Sequence, residues 1–189
     1  MQTISKEDFE NRMMRIRSIL WDAWMDSYGL DVIDNFIKVI EGEHKIDGHL
    51  VSLLNHYRKL MQYDLCLSVM RMYEPTGSNS LKNIQSYAKQ FCIGSWGKFP
   101  KVSSTILGKA EAYRNGYLAH LDVEVSADPL TNDEMRQLLE PVTAFFNNIC
   151  TNVGEPEWVL KDNELKRLQA QRFLDFLNVI QVHIIDVDE

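Results

Sequence analysis

The segment EAYRNGYLAHLD, residues 111 to 122, brings Arg114, Asn115 and His120 close together in sequence. Histidine exchanges protons near neutral pH, and arginine presents a planar fork of donors that matches phosphate. Together these side chains could form an active site for acid-base chemistry on a bound anion. Simpler interpretations are an ion pair between Arg114 and Glu111, and a histidine favoured at a helix C-terminus by the helix dipole.

The spacing of Arg114 and His120 does not place both side chains on one face of a straight helix. Six residues correspond to roughly 120° of rotation and about 9 Å of rise. Gly116 lies between them and is a poor helix residue. Either the helix loosens there, or it ends shortly after His120, or the two side chains meet across a symmetric dimer.

The segment that leads to Arg114 is locally basic, although the protein as a whole is acidic. The net charge of -7 argues against an extended surface that binds duplex nucleic acid. No Asp or Glu occurs between Glu74 and Glu111. Lysines in this stretch could contact phosphates, and aromatic rings could stack on bases; alternatively, the lysines are solvated and the rings are core. The residues are Lys82, Lys89, Lys98, Lys101 and Lys109, with Tyr87, Phe91, Trp96 and Phe99.

Helical periodicity runs through nearly the whole chain. Apolar residues at spacings of three and four predict a first helix that begins near Ser5 and ends at Gly29. Thr131 and Glu134 form a predicted capping box at the start of a later helix. The helix of the capping box continues to Ile149, and a helix before it is capped by Ser103 or Ser104 and continues to Tyr117. The other predicted helices cover residues 31–41, 49–73, 81–91 and 165–180. The predicted buried side of helix 49–73 consists of Leu50, Leu53, Leu54, Tyr57, Leu60, Met61 and Leu65. We predict an all-α fold, an antiparallel bundle of long helices with additional short helices and a C-terminal helix.

Composition and length fit one globular domain whose core needs no disulfide or metal. The chain has 189 residues, of which 45% are hydrophobic. We expect residues 1–150 to form the bundle, and residues 151–189 to form a helix and tail packed on the bundle or on a dimer partner. The cysteines, Cys66, Cys92 and Cys150, are widely separated, which favours a reducing compartment.

Several classes of protein and site are not expected from the sequence. The polar N-terminus lacks the apolar core of a signal peptide, and no apolar run reaches the length of a membrane span. We therefore expect a soluble cytoplasmic protein without a membrane partner. His49 and His56 share a helix face, but no further ligand completes a metal site, so neither a metal nor a cofactor is predicted.

The residues Arg114, Asn115, Ala119, His120 and Asp122 resemble the motif of the HEPN superfamily. Its ribonuclease members carry an arginine, usually a polar residue after it, and a histidine four to six residues later. The resemblance is closer to the abortive-infection (AbiU-like) branch, in which an acid follows the histidine after one residue, as Asp122 does here.

An upstream segment adds to this resemblance, which extends to about residue 150. The branch has an arginine near the end of a long helix, then an acidic loop, then a helix that starts with Ser-Leu. The matching positions in this chain are Arg71, Glu74, Ser80 and Leu81.

The resemblance implies a metal-independent endoribonuclease that acts as a homodimer. A ribose 2′-hydroxyl would attack the adjacent phosphate, with His120 as acid and base and Arg114 stabilising the developing charge. Asn115 would hold the phosphate or orient Arg114. The expected supporting residues are Asp122, Arg71 and Tyr117, and the expected RNA-binding residues are Lys98, Lys101 and Lys109.

The resemblance also implies a role in phage defence or as a toxin, with an antitoxin or regulatory protein as a further class of partner. Two other interpretations remain open on the residues alone. One is a non-catalytic helical module that binds RNA, a nucleotide or a protein and uses Arg114 to hold an anion. The other is a structural dimerisation domain whose interface is the apolar face of residues 165–180.

Overall fold

The computed structural model describes residues 3–42, 48–74, 77, 80–91, 97–119, 130–157, 164, 167–173 and 175–176. Within these residues the regular secondary structure is helical and contains no β-strand, which confirms the predicted all-α fold. The helices are α1 (Lys6–Gly42), α2 (Gly48–Tyr73), α3 (Leu81–Ala88), α4 (Ser104–Ala119) and α5 (Asn132–Val153). Residues 167–173 are also helical.

The first helix is longer than predicted, because α1 continues through Gly29 to Gly42. The prediction of a helix end at Gly29 is wrong. Gly29 is buried, and a Cβ atom at this position would lie 2.1 Å from Cε of Met61 on α2. The glycine therefore lets α2 pack closely against α1. This packing offsets the free-energy cost of a glycine inside a helix.

The second helix has the predicted bounds but a narrower buried face. Leu54, Met61 and Leu65 point into the core. Three residues that we expected to be buried are exposed, namely Leu53 (46%), Tyr57 (46%) and Leu60 (37%). They lie on the neighbouring face of α2, where the ring of Tyr57 stacks on Phe176 with centroids 6.0 Å apart.

The α5 helix forms much of the core and is fastened to α1. The predicted capping box is confirmed: Thr131 Oγ1 accepts from the Glu134 amide at 3.1 Å, and Glu134 Oε2 accepts from the Thr131 amide at 3.0 Å. Trp24 Nε1 of α1 donates to Thr143 Oγ1 at 3.0 Å. The side chain of Phe146 is fully buried. These contacts make α5 a rigid support for α1 and for the shorter helices.

The α4 helix packs on α2 and on α5, and it carries the candidate motif. Ser103 Oγ accepts from the Ile106 amide at 3.4 Å, so a predicted cap of this helix is confirmed. Ala110 and Tyr113 are buried against the neighbouring helices. The helix continues through Gly116 to Ala119, so glycine does not interrupt it.

Residues 167–173 and 176 lie beside α1 and α2. Gln169 Nε2 donates to the Met25 carbonyl of α1 at 2.8 Å, and Phe173 meets Phe36 edge-on with centroids 5.1 Å apart. The tail after residue 176 lies outside the described residues. In the part of the chain that the structure describes, no helix is long and apolar enough to cross a membrane.

Candidate functional site around Arg114

The half-buried guanidinium of Arg114 is held by two neighbours. Its Nη1 donates to Glu74 Oε1 at 3.0 Å, and its Nε donates to Asn115 Oδ1 at 3.2 Å. Among the described ion pairs, none joins Arg114 to Glu111 or Arg71 to Glu74. The simpler interpretation of Arg114 as the partner of Glu111 is therefore wrong.

The position of Arg114 follows from the register of α4. It comes one turn after Ala110, which is fully buried, and directly after the buried Tyr113. Residues four apart lie on the same side of a helix, so Arg114 lies at the edge of the buried face. Its aliphatic stem is covered, while its charged end reaches the end of α2, and 20% of the side chain is exposed.

Glu74 is the first residue after α2, and its side chain lies beside Gly77. Its amide donates to the Met70 carbonyl at 3.0 Å, which completes the last turn. Gly77 packs against its carboxylate, since a Cβ atom at Gly77 would lie 3.2 Å from Glu74 Oε2. Asn83 Nδ2 and the Ser80 amide both donate to the Gly77 carbonyl, at 2.8 Å and 3.0 Å. The backbone on both sides of the carboxylate that holds Arg114 is thus anchored.

The remaining residues of the predicted motif follow Arg114 along the last part of α4 and beyond its end. Asn115 is exposed beside Arg114. His120 and Asp122 lie outside the described residues, as does the side chain of Tyr117. The α4 helix carries the chain as far as Ala119, the residue directly before His120. The described geometry therefore brings together Arg114, Asn115 and Glu74.

Glu74 was predicted only as a matching position of the resemblance, without a role at the site. One signal in the sequence pointed to it. Glu74 is the last carboxylate before an acid-free stretch that ends at Glu111. A carboxylate partner of Arg114 that precedes it in the chain must therefore be Glu111 or a residue at or before Glu74. The sequence does not reveal which of these carboxylates the packing brings near Arg114.

Arg71 lies apart from Arg114. It is exposed on α2, and no described contact joins it to Arg114 or Asn115. It lines a cleft of about 560 Å³ between α1, α2 and residues 167–176. In the geometry of a single chain, Arg71 therefore belongs to the lining of this cleft.

The same cleft holds three carboxyl groups, on Asp22, Asp26 and Asp64. Burial, as the largest cause, together with the charges of Asp64 and Asp22 raises the pKa of Asp26 from 3.8 to about 7. No set of three or more side chains suited to hold a metal ion occurs among the residues that the structure describes. The carboxyls thus form a repulsive cluster next to the aromatic rings of Tyr57 and Phe176.

The predicted RNA-binding lysines differ in their surroundings. Lys98 and Lys101 are exposed on the segment before α4. Lys109 Nζ donates to Glu134 Oε1 at 2.7 Å, and this hydrogen bond lowers the pKa of Glu134. Lys98 and Lys101 are therefore better placed than Lys109 to contact an external phosphate, because Lys109 already has a carboxylate partner.

The aromatic rings of the basic stretch mostly pack within the protein. Phe99 meets Tyr73 and Phe145 edge-on, with centroids 5.8 Å and 5.5 Å apart, and the Lys82 ammonium lies 4.9 Å from its centroid. Phe91 stacks on Phe9 at 5.1 Å. The simpler interpretation as a packing residue is confirmed for Phe99, which packs against the core. Phe91 is not a core residue, because 38% of it is exposed beside Phe9.

The described cysteines are buried and unsuited to nucleophilic chemistry. Cys66 and Cys150 both carry free thiols. Burial raises the pKa of the Cys66 thiol to about 12, so it stays protonated at neutral pH. Cys92 lies outside the described residues. Both described thiols therefore belong to the core.

Comparisons with known proteins return no relative: no protein-family model matches the sequence, and neither a curated protein nor a solved structure does.

Proposed function

We propose that this protein is a metal-independent endoribonuclease of the HEPN type that acts as a homodimer in phage defence or as a toxin. The observation that supports this proposal most is the placement of Arg114. Its guanidinium is half-buried and held by Glu74 and Asn115. An arginine fixed in this way is suited to bind a phosphate in one orientation.

The proposed reaction is an attack of the ribose 2′-hydroxyl on the adjacent phosphorus. The 2′-oxygen forms a bond to phosphorus while the bond from phosphorus to the 5′-oxygen breaks. A histidine takes the proton of the 2′-hydroxyl, and a protonated histidine gives a proton to the departing 5′-oxygen. The products are an RNA end with a 2′,3′-cyclic phosphate and one with a free 5′-hydroxyl.

Arg114 would stabilise the negative charge that grows on the phosphoryl oxygens in the transition state. His120, the residue after the last residue of α4, would supply the proton transfers, and Asp122 would orient its ring. A single chain carries one copy of this motif. Two chains with apposed motifs would supply one histidine as base and another as acid, which is the physical reason to propose a homodimer.

The test is cleavage of a defined single-stranded RNA by purified protein in the presence of EDTA. We expect wild type to produce fragments ending in 2′,3′-cyclic phosphate. We expect Arg114→Ala and His120→Ala to lower the rate by at least about 100-fold. Matched controls are Arg15→Ala and His56→Ala, which remove exposed side chains of the same types from α1 and α2 and should leave the rate unchanged.

Three results would contradict this proposal. Cleavage that persists in a folded His120→Ala variant would show that His120 takes no part. Cleavage that EDTA abolishes would show that a metal is required. Intact RNA with salt-sensitive, Arg114-dependent binding would favour the non-catalytic binding module.

A further inference from the structure

We propose that Glu74 is a positioning residue of this site: its carboxylate fixes the plane of the Arg114 guanidinium, so that the guanidinium meets the reacting phosphate in one orientation. The inference rests on the proposed ribonuclease function. The proposed function by itself does not require a role for Glu74, and the inference assigns one.

The hydrogen bonds around Arg114 leave part of its guanidinium free for a ligand. A guanidinium has five N–H donors. One at Nη1 is used by Glu74 and the one at Nε by Asn115. Within the described residues the Arg114 side chain has no other partner, so the N–H groups of Nη2 remain available for phosphate oxygens. Two bonds on different nitrogens also prevent rotation of the plane.

Glu74 is suited to this role because its carboxylate, although 41% of the side chain is exposed, lies beside an anchored residue. The backbone of Gly77 lies against Oε2, and Gly77 is anchored by Asn83 Nδ2. The connection therefore runs from the start of α3 through Gly77 and Glu74 to Arg114 on α4. A side chain held by a braced neighbour loses less conformational freedom when it binds than one that moves freely.

The charge of Glu74 has opposite effects on RNA binding and on cleavage. Its negative charge lies beside the phosphate position and weakens the attraction of RNA in the ground state. Its hydrogen bond aligns Arg114 with the charge that develops only in the transition state. Removal of the carboxylate should therefore leave RNA binding unchanged or tighter while it slows cleavage. Neither a purely structural role nor a masking role produces this combination.

The experiment measures two quantities for each variant. The first is the single-turnover cleavage rate of wild type, Glu74→Ala and Glu74→Gln. The second is the affinity for the same RNA, measured with the His120→Ala substitution added so that RNA stays intact. Glu111→Ala is the matched control. Glu111 is an exposed acid on α4, and its substitution removes the same charge without removing a contact to Arg114.

For Glu74→Ala we expect a rate lower by about 10- to 100-fold, since misplacement of a catalytic group by about 1 Å costs rates of this order. The affinity should be equal to that of the parent or tighter. Glu74→Gln keeps an acceptor oxygen and should recover most of the rate. Glu111→Ala should change neither quantity. The ion pair is partly exposed, so all these variants should fold, which circular dichroism and thermal melting check.

Each other result overturns the inference in a distinguishable way. If the rate and the affinity both rise in Glu74→Ala, Glu74 masks Arg114. If both fall together with the melting temperature, its role is structural. If Glu74→Ala cleaves like wild type while Arg114→Ala is inactive, the inference alone is wrong and the proposed function stands. If wild type cleaves no RNA, the proposed function is wrong and the inference falls with it.

Discussion

Replacement of Asp26 by asparagine should stabilise the protein at neutral and alkaline pH. Asp26 lies on α1 in the cleft beside residues 167–176. Burial, together with the smaller effects of the charges of Asp64 and Asp22, raises the pKa of its carboxyl to about 7. Among the described ion pairs, none supplies Asp26 with a cation. The charged form of Asp26 is therefore a cost to the folded state.

The size of this cost follows from the difference between the folded and unfolded pKa. The pKa rises from 3.8 to about 7, which is about three units, and each unit corresponds to about 1.4 kcal/mol. The upper bound is therefore about 4 kcal/mol. Because the cleft is open to water that screens the carboxylate, we expect about 2–4 kcal/mol for Asp26→Asn.

The pH dependence has a defined sign. Below about pH 4 Asp26 is protonated in both states and contributes no cost. Between about pH 4 and pH 7 the unfolded chain has lost the proton and the folded chain keeps it, so the free energy of unfolding falls as pH rises. Above about pH 7 the cost is constant. The gap between Asp26→Asn and wild type should be small at pH 4 and largest at pH 8.

Urea unfolding of both proteins at pH 4, 6 and 8 measures this gap. The matched control is Asp22→Asn, which removes a charge from the same cluster at an exposed position. It should change the free energy of unfolding by about 0.5 kcal/mol or less. A gap for Asp26→Asn that is the same at all three pH values, or a variant less stable than wild type at pH 8, would refute the reasoning.

Two further predictions concern the cap of α5 and the basic segment before α4. Thr131→Ala removes the acceptor of the Glu134 amide and should lower the free energy of unfolding by about 1 kcal/mol in urea; an unchanged midpoint would contradict the energetic role of the cap. If the protein binds RNA as proposed, the double substitution Lys98→Gln and Lys101→Gln should reduce the slope of log affinity against log salt by about 1.4, at about 0.7 for each single-strand phosphate contact. Lys109→Gln should reduce the slope by less than the value of about 0.7 for one contact, because Lys109 already pairs with Glu134; a reduction of about 0.7 or more would show that this pair opens when RNA binds.

The sequence alone determined most of the local structure. The helical class, the bounds of α2 and the capping box of α5 all follow from interactions within a few residues. Thr131 and Glu134 are three residues apart, so the chain between them sets their geometry. Such features can be read from spacing and residue type, because no distant part of the chain is needed to form them.

The tertiary structure decided the features that depend on contacts between helices. Gly29 is a helix breaker by propensity, yet it lies inside α1 because Met61 of α2 fills the space above it. Leu53 and Leu54 are adjacent leucines, but only Leu54 faces the core. Hydrophobic spacing predicts a face of α2, and the packing of neighbouring helices decides how wide that face is.

The candidate site shows the same division. The sequence singled out Arg114 and Asn115 by their types and spacing, and nearest-neighbour rules proposed Glu111 as the partner of Arg114. The actual partner is Glu74, which is 40 residues earlier in the chain. The packing of α4 on α2 brings these two charges together, and such a pairing depends on the positions of whole helices.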